Sequence, residues 1–391
     1  MSQTKAQLVS GTTAQDLTVD NINTTSVNSG QASGRKNIVI NGAMQVNQRA
    51  SSYTATNSNE YTLDRFLHAV GSGFNFDTTT TQDSSSPDGF SKSLKITPDA
   101  TVTPSAGENG VIDHFIEGQD LQSLAFGTSS AKSITISFYA KSASANSGDQ
   151  YTLMFQFVNG SGNRFIKNKA FTVTSSWQRY SVTFTGNTSE SIITDHTVGG
   201  RIVWILTAGP DDIASEKSSW TDTDLYTAVT GQSNFMDNTS NEFFLTGVQL
   251  EIGSTATDFE HRSFGDELAL CQRYTIALDA RGSIDNFAPI GHGRFYNGTD
   301  AQIFVHLPTT MRLPPTIDAT ATTAANTFFL NEDGGFGGHA MTSIALNERS
   351  FNSITFIAQS IGNISGQTVG LGTSVYADDG DDAKLVLTAE L

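Results

Sequence analysis

Residues 246–276 read TGVQLEIGSTATDFEHRSFGDELALCQRYTI. The stretch opens as the closing strand of a β-rich block, passes through a polar turn and becomes a helix, spanning 263–276. Ser263 is placed to cap that helix, and Asp266 occupies the acidic third position of a capping box. Leu268, Cys271 and Thr275 recur at i, i+3 and i+7 on one helical face, with Leu270 and Tyr274 beside them. A helix of about three turns is marginal alone, so its apolar stripe must pack on something. Leu268, Leu270, Cys271 and Tyr274 are therefore expected to be buried against a partner chain or the adjoining domains.

A chain of 391 residues exceeds what one hydrophobic core usually serves, so two cores flank this hinge. Gly, Ser, Thr and Asn crowd between short runs of Val, Ile and Phe, the texture of many strands joined by turns. Ile134, Ile136 and Phe138 alternate with Thr135, Ser137 and Tyr139, marking a sheet with one buried side. Strand candidates at 64–70, 93–97, 111–116, 133–141, 151–158, 165–173, 177–185, 201–207 and 242–252 run without intervening helical pattern. An antiparallel sandwich of jelly-roll type over 37–262 accounts for them better than an α/β design. The block begins with NIVINGAMQVNQRA, an alternating strand turned by Asn41-Gly42. TTTTQDSSSPDG reads as loop, and Trp177 and Trp204 as core residues in strands. From 277 to 391 a smaller, loopier β-domain follows, with further strands near 294–296, 302–307, 316–319, 327–330, 353–359 and 384–391. The prolines of 308–315 exclude a central strand there. Residues 1–36 are too polar to fold alone and form either a disordered tail or a segment ordered by docking.

The net charge of −17 opposes nucleic-acid binding, which needs clustered Lys and Arg. The single cysteine, Cys271, excludes an intrachain disulfide framework and reads as a small buried hydrophobe. No signal-peptide core precedes the block and no run of about 18 apolar residues occurs, so a soluble protein made in a cytoplasm is expected. Catalytic signatures are missing: there is no HExxH, GxSxG or GxxxxGK[ST]. The seven histidines include no pair at i, i+2 or i, i+4. With 39 acidic residues, nothing singles out a carboxylate pair for glycoside hydrolysis.

Several runs together resemble the tail-fibre and virion structural proteins of tailed bacteriophages. They are NIVINGAMQVNQR (37–49), YTLDRF (61–66), IEGQDLQSL (116–124), ISFYAKS (136–142), WQRYSVTF (177–184) and, most specifically, FFLTGVQLEIGSTATDFEHRSFGDELALCQRY (243–274). FVHLPTTMRLPPTID (304–318) and LVLTAEL (385–391) extend the likeness. Thr275 departs from it, standing where an aromatic commonly follows Gln-Arg-Tyr. The resemblance implies a jelly roll similar to carbohydrate-binding modules, carried on a homotrimeric fibre or spike. Residues 1–36 would dock it to other virion proteins, and 277–391 would face a host receptor, a surface glycan or protein.

Sugar binding calls for exposed aromatics with nearby hydrogen-bonding groups. The candidates are Trp220 and Tyr226 in a polar loop, Phe295 and Tyr296 in GRFYNGTD, and Phe336 in GGFGG. Jelly-roll modules of this kind also hold structural calcium, for which Glu117, Asp120, Glu251 and Asp258 are the candidate ligands. No other cofactor, catalytic residue or membrane insertion is expected. The leading expectation is a non-enzymatic receptor-binding virion protein. The alternatives are a head or tail decoration protein and a polysaccharide depolymerase. Light scattering at micromolar concentration is expected to give three times the chain mass of 41.8 kDa, and a monomer there would remove the fibre reading.

Overall fold

Along Ile134–Ser142, the side chains of Ile134, Ile136, Phe138 and Ala140 share one side and are fully buried. They meet Ile202, Trp204 and Leu206 of Val198–Ala208, whose strand belongs to a second sheet, and Trp204 stands edge-on to Phe138 at 5.7 Å. The computed structural model describes residues 36–50, 52–55, 59–71, 73–279, 287–297, 299–319, 322, 327–331, 339–359, 369–378 and 383–391. The attachment segment proposed for 1–36, save Lys36, and Phe336 lie outside the described residues.

One sheet has the order Ser52–Ala55, Thr78–Asp83, Ser93–Pro98, Phe243–Ile252, Ile134–Ser142, Gln178–Phe184. The facing sheet runs Thr221–Asp222, Arg164–Thr172, Gln150–Val158, Val198–Ala208, Asn109–Glu117, Leu67–Gly71, Glu60–Tyr61. All pairings in both are antiparallel, and the shared aromatic core makes them a β-sandwich.

Four local expectations are corrected. NIVINGAMQV is not a strand: Asn37 and Asn41 side chains bond to backbone groups and replace a ladder. Asn37 Nδ2 donates to the Val248 carbonyl at 3.1 Å, while Asn41, at φ 60°, both accepts from and donates to the Val46 backbone. The Asn41-Gly42 turn is real, and a Cβ on Gly42 would stand 2.1 Å from the Val248 oxygen. Second, TTTTQD is a strand rather than a loop: threonine is polar but β-branched, and Thr78 and Thr80 turn inward. Third, the helix spans Phe264–Gln272, capped by Ser263, whose Oγ accepts from the Asp266 N–H at 3.2 Å. Thr275 is not helical but opens the strand Thr275–Asp279. Fourth, Trp204 is core but Trp177 is half-buried outside the sandwich, beside Phe244 and the Lys141 ammonium.

A second core lies beyond the helix. A seven-stranded sheet of order His339–Ala340, Phe328–Asn331, Gly372–Asp378, Phe287–Phe295, Asp300–His306, Ser353–Gln359, Ser343–Arg349 buries Phe295, Ile303, Phe328 and Phe356. Thr275–Asp279 pairs with the terminal strand Lys384–Thr388, which also pairs with Thr316–Ile317. Residues 37–391 form one compact unit.

The two cores meet at buried charge. Arg49, 0% exposed, reaches Glu390 and Asp318 at 3.1 Å each and donates to Thr275 Oγ1 at 2.6 Å. Arg65 pairs with the other Glu390 oxygen, donates to the Phe115 carbonyl at 2.7 Å and lies 3.5 Å from the Tyr274 ring centroid. Arg312 donates to the carbonyls of Ala389 and Glu390. Glu117 accepts from Arg273 at 2.8 and 2.9 Å and from the Tyr274 hydroxyl at 2.5 Å. Burial disfavours the Arg49 charge, and Glu390, Asp64 and Asp318 more than offset it.

Glu390→Ala is expected to cost about 3–5 kcal/mol in urea unfolding, because it strands two buried guanidiniums. An unchanged midpoint would show that these contacts do not hold the two cores. Burial pushes the Glu117 carboxyl up, but hydrogen bonds from Arg273 and Tyr274 and the Arg273 charge prevail and hold it below the ordinary value. A carboxyl lowered on folding adds stability above its unfolded value. Melting temperature is therefore expected to fall as pH drops below about 4.5, and Glu117→Gln to flatten that slope.

Candidate functional site

The seven-stranded sheet of the sandwich has a second, outward face. Because Ile112 and Ile116 point into the core, Asp113 and Phe115 point out; likewise Arg201, Val203 and Ile205 oppose Ile202 and Trp204, and Met154 and Gln156 oppose Phe155. The 209–233 segment folds over part of this face, where Ile213, Tyr226 and Ala228 pack on Val111, Met154, Val203 and Ile205. Where that cover ends lies a cleft of about 670 Å³, lined by Phe115, Gln156, Asn159, Arg164, Ile193, Arg201, Asp224 and Tyr226.

Arg201 organises its polar floor. Its Nε donates to Gln156 Oε1 at 2.9 Å, and its Nη1 donates to Asp113 Oδ2 at 3.1 Å and to the Tyr226 hydroxyl oxygen at 2.6 Å. Tyr226 donates in turn to Asp113 Oδ2 at 2.9 Å, and its ring lies 4.4 Å from the guanidinium carbon. Burial, then the Asp113 charge, pushes the Tyr226 hydroxyl up, so it remains a protonated donor. Burial also pushes the Asp113 carboxyl up, against the pull of Arg201. Gln156 Nε2 and Asp113 Oδ1 are buried with no hydrogen-bond partner. At the rim, Arg164 pairs with Asp224 at 3.2 Å.

A second cleft, of about 680 Å³, runs along Glu60, Tyr61, Pro314, Asp318 and Glu390, at the ion network between the cores. There the Arg312 guanidinium donates from all three nitrogens to carbonyls, those of Ala389, Glu390 and His196.

Of the described aromatics expected to meet sugar, Tyr226 alone lines the first cleft. Trp220, expected outside the core, is half-buried against Phe126, Phe155 and Phe157, and its Nε1 donates to the Thr185 carbonyl at 3.0 Å. Phe295 is fully buried in the second core, because it occupies an inward position of Phe287–Phe295. Tyr296 is 58% exposed but belongs to that second β-region. In the helix, Cys271 and in the following turn Tyr274 are buried within the chain, while Leu268 and Leu270 are half-buried. Burial pushes the Cys271 thiol far up, which leaves no thiolate for nucleophilic chemistry.

The calcium candidates are not brought together. Glu117 ends a strand of the seven-stranded sheet and is taken by Arg273 and Tyr274. Glu251 lies in the other sheet and accepts from Thr257 and Gln249; Asp120 and Asp258 are exposed. Among the described residues no group of three or more His, Cys, Asp or Glu is placed to hold a metal ion.

Gln156, Arg201, Asp113 and Phe115 escaped sequence reasoning. Their signal was an amide or charge at an outward position of an otherwise apolar strand, as in YTLMFQFV, GGRIVWIL and VIDHFIE.

No protein-family model and no curated protein sequence matches the chain. Among solved structures it is similar to the enzymatically active domain of bacteriophage CBA120 tailspike protein 4, at 11% identity and a TM-score of 0.29, over 55% of this chain and 21% of that one. The matched part is thus about a fifth of the tailspike chain. It is also similar to the CBM22-1 xylan-binding domain of Paenibacillus barcinonensis Xyn10C, at 12% identity and a TM-score of 0.26, over 53% of this chain and 100% of that one. A third likeness is the family 11 carbohydrate-binding module of Clostridium thermocellum Lic26A-Cel5E, at 12% identity and a TM-score of 0.27, over 54% and 98%.

Proposed function

We propose that this chain binds a saccharide, without catalysis, in the cleft on the outer face of the seven-stranded sandwich sheet. The observation that carries the reading is a cleft walled by Phe115 and Tyr226 whose lining includes Gln156, with its amide nitrogen buried and without a protein partner. A buried polar group left unpaired costs about 1–3 kcal/mol, a cost that a ligand's hydroxyls would remove. Aromatic walls supply stacking surface for a pyranose ring.

In the wider reading, supported by the sequence resemblance, the sandwich is a jelly roll on a trimeric virion fibre or spike. Residues 1–36 attach it to the particle, and the chain recognises a host surface glycan. Residues 277–391 form the distal part. Three weak sites on one assembly would act with a high effective concentration.

The test is calorimetric titration of the whole chain with a panel of oligosaccharides. At least one is expected to bind, and Tyr226→Ala, with its melting temperature checked, is expected to weaken it by about tenfold or more. Absence of binding across the panel would overturn the reading and favour a structural decoration protein.

A further inference from the structure

Resting on that reading, we infer that the cleft takes an acidic saccharide, whose anionic group is received by the Arg201 guanidinium and by Arg164 at the rim. Arg201 lines the cleft and is 8% exposed. Two of its three guanidinium nitrogens are spent on the protein. Nε donates to Gln156 Oε1 at 2.9 Å, and Nη1 donates to Asp113 Oδ2 and to the Tyr226 hydroxyl oxygen. The third, Nη2, makes no hydrogen bond and is not enclosed by protein. Because Nε and Nη1 are both anchored, the planar guanidinium cannot turn, and the two Nη2 hydrogens are held at a fixed place. Such a donor is matched best by an oxygen that itself carries charge, since a hydrogen bond between charged partners is shorter and stronger than a neutral one.

The charge of the lining points the same way. Its charged residues are two cations, Arg164 and Arg201, and one anion, Asp224, in a chain whose net charge is −17. Asp113 is fully buried and outside the lining, so it steadies Arg201 without facing a ligand. Arg164 keeps Nε and Nη2 without hydrogen bonds, and its partner Asp224 stands at 3.2 Å, with the two side chains 47% and 72% exposed. An ion pair so exposed is weak, and a ligand anion displaces Asp224 from it at little cost. Gln156 adds an amide nitrogen without a protein partner, a further donor on the lining. Phe115 and Tyr226 supply the apolar surface for the ring that carries the anionic group.

The experiment titrates the whole chain, by calorimetry, with acidic sugars and their neutral parents: tetragalacturonate and its methyl ester, then sialyllactose and sulfated lactose against lactose. Acetate and inorganic sulfate serve as free anions. At least one acidic sugar is expected to bind about tenfold more tightly than its parent, and to lose part of that margin as sodium chloride is raised. A gain by the carboxylate sugars or by the sulfated one supports the inference and identifies the anionic group. Arg164→Gln, on the exposed rim and with its melting temperature checked, is expected to lower the acidic-over-neutral ratio about threefold. Arg201→Lys keeps a cation for Asp113 but has no second nitrogen for a ligand. It is expected to bring the ratio close to unity, which a purely structural role would leave unchanged. Neutral parents that bind as tightly as the acidic sugars overturn the inference and leave the saccharide reading standing. So does a ratio unchanged in both variants, or a free anion that binds as tightly as the acidic sugar. If the wild-type chain binds none of the sugars, the inference and the saccharide reading fall together.

Discussion

Glu390 is the residue on which the two cores depend. An ionised carboxylate taken out of water must be paired, and here it is paired twice, by Arg49 and Arg65, each itself buried. Those arginines come from the first fifty and first seventy residues, while Glu390 is the penultimate one. The pairing therefore fixes the end of the terminal strand to the start of the sandwich. Neighbouring contacts follow from it. Thr275 Oγ1 accepts from Arg49 and donates to Glu390, the Tyr274 ring lies against the Arg65 guanidinium, and Arg312 straps the carbonyls of Ala389 and Glu390. The departure at Thr275 thereby acquires a reason: a hydroxyl serves both partners where an aromatic ring would serve neither.

Most of the runs that carry the bacteriophage resemblance supply residues to this joint. Gln48 and Arg49 from the first, Asp64 and Arg65 from the second, Glu117 from the third, Arg273 and Tyr274 from the helix run, and Arg312 and Glu390 from the last two are members. Their common property is structural: each is a polar side chain, buried except for that of the half-buried Arg273, with a partner from another segment of the chain. Specific runs in such a chain mark where the cores are locked together, and the cleft lined by Arg201 and Gln156 lies elsewhere. Arg201, Gln156 and Asp113 belong to none of those runs.

The cleft obeys the same rule of buried charge with one difference. At the joint the carboxylates of Glu390 and Glu117 have partners at both oxygens, and the structure gains rigidity. Beside the cleft Arg201 satisfies three neighbours, while Asp113 Oδ1 and, on the cleft lining, Gln156 Nε2 have no partner. Unmet donors occur at the joint as well, on Arg49 Nη1 and Arg65 Nε.

Alternation of Ile, Phe and Val with polar residues is local, so the β character, most of the sandwich strands and the Ser263-capped helix were legible in the sequence. The Asn41-Gly42 turn was legible as well, because its closing bond from the Met44 N–H to the Asn41 carbonyl is local, although Glu267 and Val248 hold its other backbone groups. Other features were decided by partners distant in the chain. NIVINGAMQV alternates like a strand but is held by Val248 and Leu250, and Thr78–Asp83 is polar in composition yet finds a place between two neighbouring strands. Trp220 and Phe295 looked like exposed aromatics because their loops are polar; the cores that cover them come from other segments. The cleft was least legible of all, since Phe115, Gln156, Arg201 and Tyr226 come from three strands and one loop. Short-range pattern determines which face of a strand is wet. Only the packing of sheets and loops decides which of those wet faces is then covered and which is left open.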